Sequence, residues 1–132
     1  MATAEQVQAF VGIPYEAGRF DCADLVARIQ FELFGRDIVL PGHRPAGALT
    51  QAAAIRRHAD SLADRIDRAQ AVDGDGVLLQ QRGRIVHIGT FFRIAGVAWV
   101  LHNSATMGHS VLHRLSELPG YGLRVEGIYR WK

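Results

Sequence analysis

The chain has a single cysteine, Cys22, among its 132 residues. One thiol excludes an intramolecular disulfide framework and any zinc cage built from several thiolates. Lysine is almost as scarce: Lys132 stands alone, and the other 14 positive charges are arginines, set against 13 acids. The net charge of +2 is spread along the chain rather than gathered into a stripe, which argues against nucleic-acid binding. Arg56-Arg57 and the Arg82/Arg84 pair read as solvated faces. No apolar run approaches the roughly 20 residues of a membrane span. Met1 to Gln8 lacks both the basic start and the long apolar core of a signal peptide, so the expectation is synthesis in the cytoplasm, with export by another route left open. Repeats, low-complexity tracts and linkers are also missing. What remains is 48% hydrophobic, enough for one domain, residues 1–132, with a real core.

Two halves differ in period. In the first, Val7, Phe10 and Val11 predict a short helix over residues 3–11, closed by Gly12 and Pro14. After a loop, Asp21 is placed to cap a second helix, with Asp24 three residues later. Cys22, Leu25, Val26, Ile29 and Leu33 form its apolar stripe, which ends before Gly35. A third helix is expected from about Ala46 to Arg65. In the second half, the turn Asp73-Gly74-Asp75-Gly76 opens a series of strands: Val77–Gln81, Ile85–Phe92, Val97–Asn103, a weaker Ser110–Leu115, and Leu123–Trp131. Helices followed by strands predict an α+β domain with a mostly antiparallel sheet.

Cys22 falls at the first turn of its helix, where unpaired N–H groups and the macrodipole favour a thiolate. A symmetric turn centred on Ile94-Ala95 sets His87 directly opposite His102 on the two middle strands, on one face of the sheet. A histidine within reach of the thiol could activate it, and a polar group beyond that histidine could fix its tautomer. Cys22, His87 and His102 fit those roles in that order. The same residues also read as a core thiol and two satisfied core histidines. A zinc ion held by Cys22, His87 and His102 is a further chemical option, since three protein ligands and a water suffice. Asp73 and Asp75 suggest a calcium loop, but its closing Glu is missing, so a turn is the better reading. His109 and His113 are expected to be solvent-exposed, and His43 and His58 have no recognisable partners.

Four ordered blocks resemble the NlpC/P60 cysteine peptidases. Gly12-Ile13-Pro14-Tyr15 with Phe20-Asp21-Cys22-Ala23-Asp24-Leu25-Val26 is similar to the nucleophile segment. Asp73-Gly74-Asp75-Gly76-Val77-Leu78-Leu79 is similar to the turn and strand that follow. His87-Ile88-Gly89-Thr90-Phe91-Phe92 resembles the histidine strand, and Val100-Leu101-His102-Asn103 the strand of the third polar residue. The resemblance implies a papain-like fold, with the helices packed on a small sheet. It implies hydrolysis of amide bonds in bacterial peptidoglycan stem peptides, typically from D-glutamate to a diamino acid, without metal or other cofactor. It assigns Cys22 as nucleophile, His87 as base and His102 as orienting residue, with Asn103 as the alternative in that last role. Tyr15 would line the cleft and support the oxyanion, or else be an ordinary packed aromatic.

The chain departs from the family where Ala23-Asp24 replaces the usual Ser-Gly, and where Glu16-Ala17-Gly18-Arg19 replaces Trp-Gly-Gly. Its ending, Glu126-Gly127-Ile128-Tyr129-Arg130-Trp131, looks like that of phage-tail and prophage members. Phage tail proteins are therefore expected partners and the virion tail an expected location. The rival expectation is a non-catalytic structural or adaptor module of such a tail.

Overall fold

The computed structural model describes residues 2–38 and 62–132. Its first helix, α1 (Ala4–Gln8), starts from a capping box between Thr3 and Gln6 and is shorter than its apolar spacing predicts. Helix α2 (Cys22–Phe34) matches its sequence signals closely. The Asp21 side chain accepts from the backbone N–H groups of Ala23 and Asp24, and Asp24 returns a carboxylate oxygen to the Asp21 N–H. Gly35 ends the helix in the left-handed conformation that a residue with a side chain adopts only at a cost.

Six strands follow: β1 (Ala63–Ile66), β2 (Gly76–Gln81), β3 (Arg84–Ile94), β4 (Val97–Ser104), β5 (His109–Arg114) and β6 (Arg124–Trp131). They form one antiparallel sheet in the order β1-β6-β2-β3-β4-β5. The domain is therefore α+β, as its sequence order implies. The helix expected over residues 46–65 lies mostly outside the described residues. Its last residues are a correction: Ala63–Ile66 is a strand, held by pairing with Trp131 back to Ile128. Pairing with β6 overrides the local preference there.

Alternation along β3 and β4 sorts the core into two faces. On one face α2 lays Leu25 and Ile29 against Phe92 and Leu101, with Val7 and Phe10 of the α1 region packed alongside. Further along that face, Cys22, Ala23 and Val26 meet Leu78, Ile88 and Tyr129. The opposite face buries Val77, Leu79, Phe91, Val100 and Ile128 beneath the 3-10 helix Leu115–Tyr121. The turn acids are structural, as the missing calcium ligand suggests. Asp73 accepts from the N–H groups of Ala2 and Arg93, while the buried Asp75 accepts from Val72 N–H and from two nitrogens of Arg130. No described helix is long and apolar enough to cross a membrane.

Candidate active site

Cys22 is the first residue of α2, and the loop leading to it is clipped to the sheet twice. Gly12 N–H donates to Ser110 O, Ser110 N–H to Ile13 O, and Tyr15 N–H to Gly108 O, so residues 12–15 run against β5. On the other side the amide of Asn103 on β4 donates to the carbonyl oxygens of Phe20 (3.0 Å) and Asp21 (3.4 Å). Asn103 is thus spent on fixing the start of α2. It lies on the opposite side of β4 from His102, which removes it as the partner of His87.

The thiol is only 5% exposed. Burial pushes its pKa up to about 12, and the nearby Asp21 charge adds to that, while the backbone N–H groups of Ile88 and Ala23 act in the lowering direction. Desolvation therefore outweighs the helix-start effect expected from the sequence. Tyr15 stands close enough to feel Cys22, Asp21 and Asp24, and its phenol pKa is raised, first by burial and then by those charges.

The histidines assemble on the other face. The β3–β4 hairpin turns at Ala95-Gly96, so Gly89, not His87, is paired with His102. This corrects the expected register by two residues, and an even shift preserves the face. His87 stands diagonal to His102, where side chains are normally about 7–8 Å apart; here the ring centres are 4.8 Å apart. The gap is closed by what Gly89 lacks. A Cβ there would sit 2.6 Å from Val100 Cγ2, 2.9 Å from Leu101 O and 3.0 Å from His102 Cβ.

A third imidazole joins the row. His113, on β5 opposite Val100, places its Nδ1 3.0 Å from His102 Nε2. The ring of Tyr121 stacks on its outer side at 4.2 Å. The expected exposure of His113 is thus overturned, whereas His109 is exposed as expected. What hid His113 in the sequence was the unknown register of β5. Counting two residues per step from His102 across a four-residue turn would have found it.

All three imidazoles have pKa values below the usual range. Burial takes His87 down to about 4. Burial, with the neighbouring His87 and His113, takes His102 down to about 2. His113 is lowered by burial against a raising pull from Glu117. His87 is partly buried as a residue, and its Nε2 is sealed from solvent without a hydrogen-bond partner, as is His102 Nδ1. Next to the row opens a pocket of about 310 Å³ lined by the three histidines with Ser104, Met107 and Tyr121.

Of the four residues singled out from the sequence, the structure thus groups Tyr15 with Cys22 and His87 with His102. The two groups meet at one peptide unit. Ile88, whose N–H faces the sulfur, directly follows His87 in the chain, but its side chain leaves the strand on the α2 side while the His87 ring leaves on the other. Among the described residues no group of three metal-competent side chains converges as a metal site. No protein-family model matches the chain, and no curated protein matches it.

Proposed function

We propose that the chain is a cysteine hydrolase of papain-like architecture that cuts amide bonds in bacterial wall peptides. The observation that carries it is the position of the Cys22 sulfur, at the start of a doubly clipped, capped helix and against the peptide joining His87 to Ile88. His87 Nε2 is sealed inside, so Nδ1 is the nitrogen left to take a proton. Because the ring and the sulfur lie on opposite sides of the His87–Ile88 peptide, the thiol proton would have to reach it through a bridging water or a turn of the ring. The sulfur would attack the substrate carbonyl as its proton passes to His87, and the oxyanion would meet N–H groups at the helix start with the Tyr15 hydroxyl. His87 would then return the proton to the leaving amine, and water would hydrolyse the thioester. A thiol near 12 and an imidazole near 4 make a neutral resting pair, so proton transfer would accompany attack rather than precede it. Catalysis would also require the packing around Cys22 to open, since the residue is 5% exposed among Ala63, Leu78, Ile88 and Tyr129. The wall-peptide substrate and a phage-tail setting come from the sequence resemblance.

The same burial favours a second reading, a structural or adaptor module of a phage tail that keeps the thiol as core. The rate of Cys22 alkylation by iodoacetamide, followed against pH in the native protein and in His87→Ala, separates the two. The hydrolase reading expects alkylation at neutral pH that slows in the variant, and cleavage of wall muropeptides that Cys22→Ala abolishes. A thiol inert up to high pH, or one indifferent to His87, overturns it in favour of the tail module.

A further inference from the structure

The row of imidazoles does not end at His102, and its far end controls what its near end can do. His102 Nε2 and His113 Nδ1 are 3.0 Å apart in buried surroundings. Two neutral imidazoles at that distance share one proton, so one ring donates and the other accepts. The loose ends of the row are His102 Nδ1 and His87 Nε2, on rings whose centres are 4.8 Å apart, so a small rotation of either ring joins them.

Only two proton patterns satisfy every nitrogen. In the first, His102 Nε2–H donates to His113 Nδ1, His102 Nδ1 keeps a lone pair, and His87 Nε2–H donates to it. His87 Nδ1 is then a lone pair, able to accept a proton. In the second, His113 Nδ1–H donates to His102 Nε2, His102 Nδ1–H donates to His87 Nε2, and His87 Nδ1 carries a hydrogen. A base with a hydrogen on its outer nitrogen cannot take the thiol proton.

We infer that His113 is a positioning residue that selects the first pattern, so that the row His113–His102–His87 leaves His87 Nδ1 open as an acceptor. The imidazole itself favours this choice. A neutral imidazole ordinarily prefers its hydrogen on Nε2, and in His113 that leaves Nδ1, the nitrogen 3.0 Å from His102, as the acceptor. Tyr121, stacked at 4.2 Å, holds the ring plane. No proton travels the length of the row: the thiol proton stops at His87, and the two inner rings stay neutral. The catalytic consequence rests on the cysteine hydrolase reading, but the proton pattern does not.

The test is long-range ¹H–¹⁵N NMR of histidine-labelled full-length protein at pH 7.5, which reports the tautomer of each ring. The expected result is hydrogen on Nε2 in His87, His102 and His113. His113→Phe should convert His102 and His87 to mixed or reversed tautomers. His113→Asn, whose Oδ1 can stand where Nδ1 stood, should restore the native pattern. Cys22 alkylation should slow about tenfold in His113→Phe and recover in His113→Asn. His102 carrying its hydrogen on Nδ1 in the native protein overturns the inference, and that readout needs no variant to fold. Tautomers unchanged in a folded His113→Phe protein overturn it as well, even with Cys22 reactive. The expected tautomers beside an inert Cys22 would uphold the histidine row and sink the hydrolase reading alone.

Discussion

Replacing Gly89 by alanine should loosen the fold and separate His87 from His102 in one step. The new methyl carbon would lie 2.6 Å from Val100 Cγ2, 2.9 Å from Leu101 O and 3.0 Å from His102 Cβ. Val100 is fully buried and has little room to turn, and Leu101 O belongs to the backbone of a strand paired on both sides. The strand must therefore give. Overpacking of this kind costs about 1–3 kcal/mol. The stiffer unfolded chain offsets about 0.4–1 kcal/mol of that. The expected net loss is about 1–2 kcal/mol, which lowers the urea midpoint by about 1 M for a slope near 1.5 kcal/mol/M. Urea unfolding followed by circular dichroism measures it, with the slope required to stay constant. Gly120→Ala is the control, since Gly120 has no atom within 4 Å of a built Cβ and its backbone angle is one any residue adopts. It should lose no stability and gain up to about 1 kcal/mol from the stiffer unfolded chain. If Gly89→Ala matches the native protein, or Gly120→Ala falls as far, the steric account of the 4.8 Å ring approach is wrong.

Stability should fall on mild acidification. Unfolded histidines take up protons near pH 6.5, while His87 resists to about 4 and His102 to about 2. The unfolded state thus binds more protons from about pH 6.5 down to 4. The two groups together remove up to about 2–3 kcal/mol per pH unit within that window and nothing above it. Urea midpoints that do not move between pH 6.5 and 5 would refute this. Asn103→Ala removes the donors to Phe20 O and Asp21 O, which should cost about 1–3 kcal/mol and speed alkylation of Cys22 by releasing the loop before it. A variant with unchanged stability and unchanged thiol reactivity would show that the clip does not hold the helix start.

Much of this arrangement was legible because it is written in local chemistry. Asp21 and Asp24 announce the start of α2, Gly35 its end, and the two-residue period from Val77 onward gives five of the six strands. The hairpin register was harder. A reader places the turn symmetrically between the apolar runs, but Ala95 and Gly96 both take positive φ, 51° and 77°, and carry the turn one residue further along. Alanine gives no warning of that conformation. Strand β1 has no alternation of its own, and its shape comes from β6 more than 60 residues away. His113 was hidden for a related reason, since its place depends on a register that no local pattern sets. That the Cys22 thiol and the His87 ring leave the sheet on different sides was equally invisible, because no segment of sequence states against which face a helix will dock.

His102 and Asn103 are neighbours on β4, and that adjacency sets a rule for how the chain can vary. One side chain belongs to the imidazole row and the other to the clip that holds the start of α2, so a single peptide unit keeps the two in phase. A slip of β4 by one residue would exchange them, offering an amide to the histidines and an imidazole to the carbonyls of Phe20 and Asp21. A slip by two would keep each kind of residue on its own side. Among natural variants of this chain, length changes at the Ala95-Gly96 turn should therefore come in even numbers, making β4 a parity lock between the two faces of the domain.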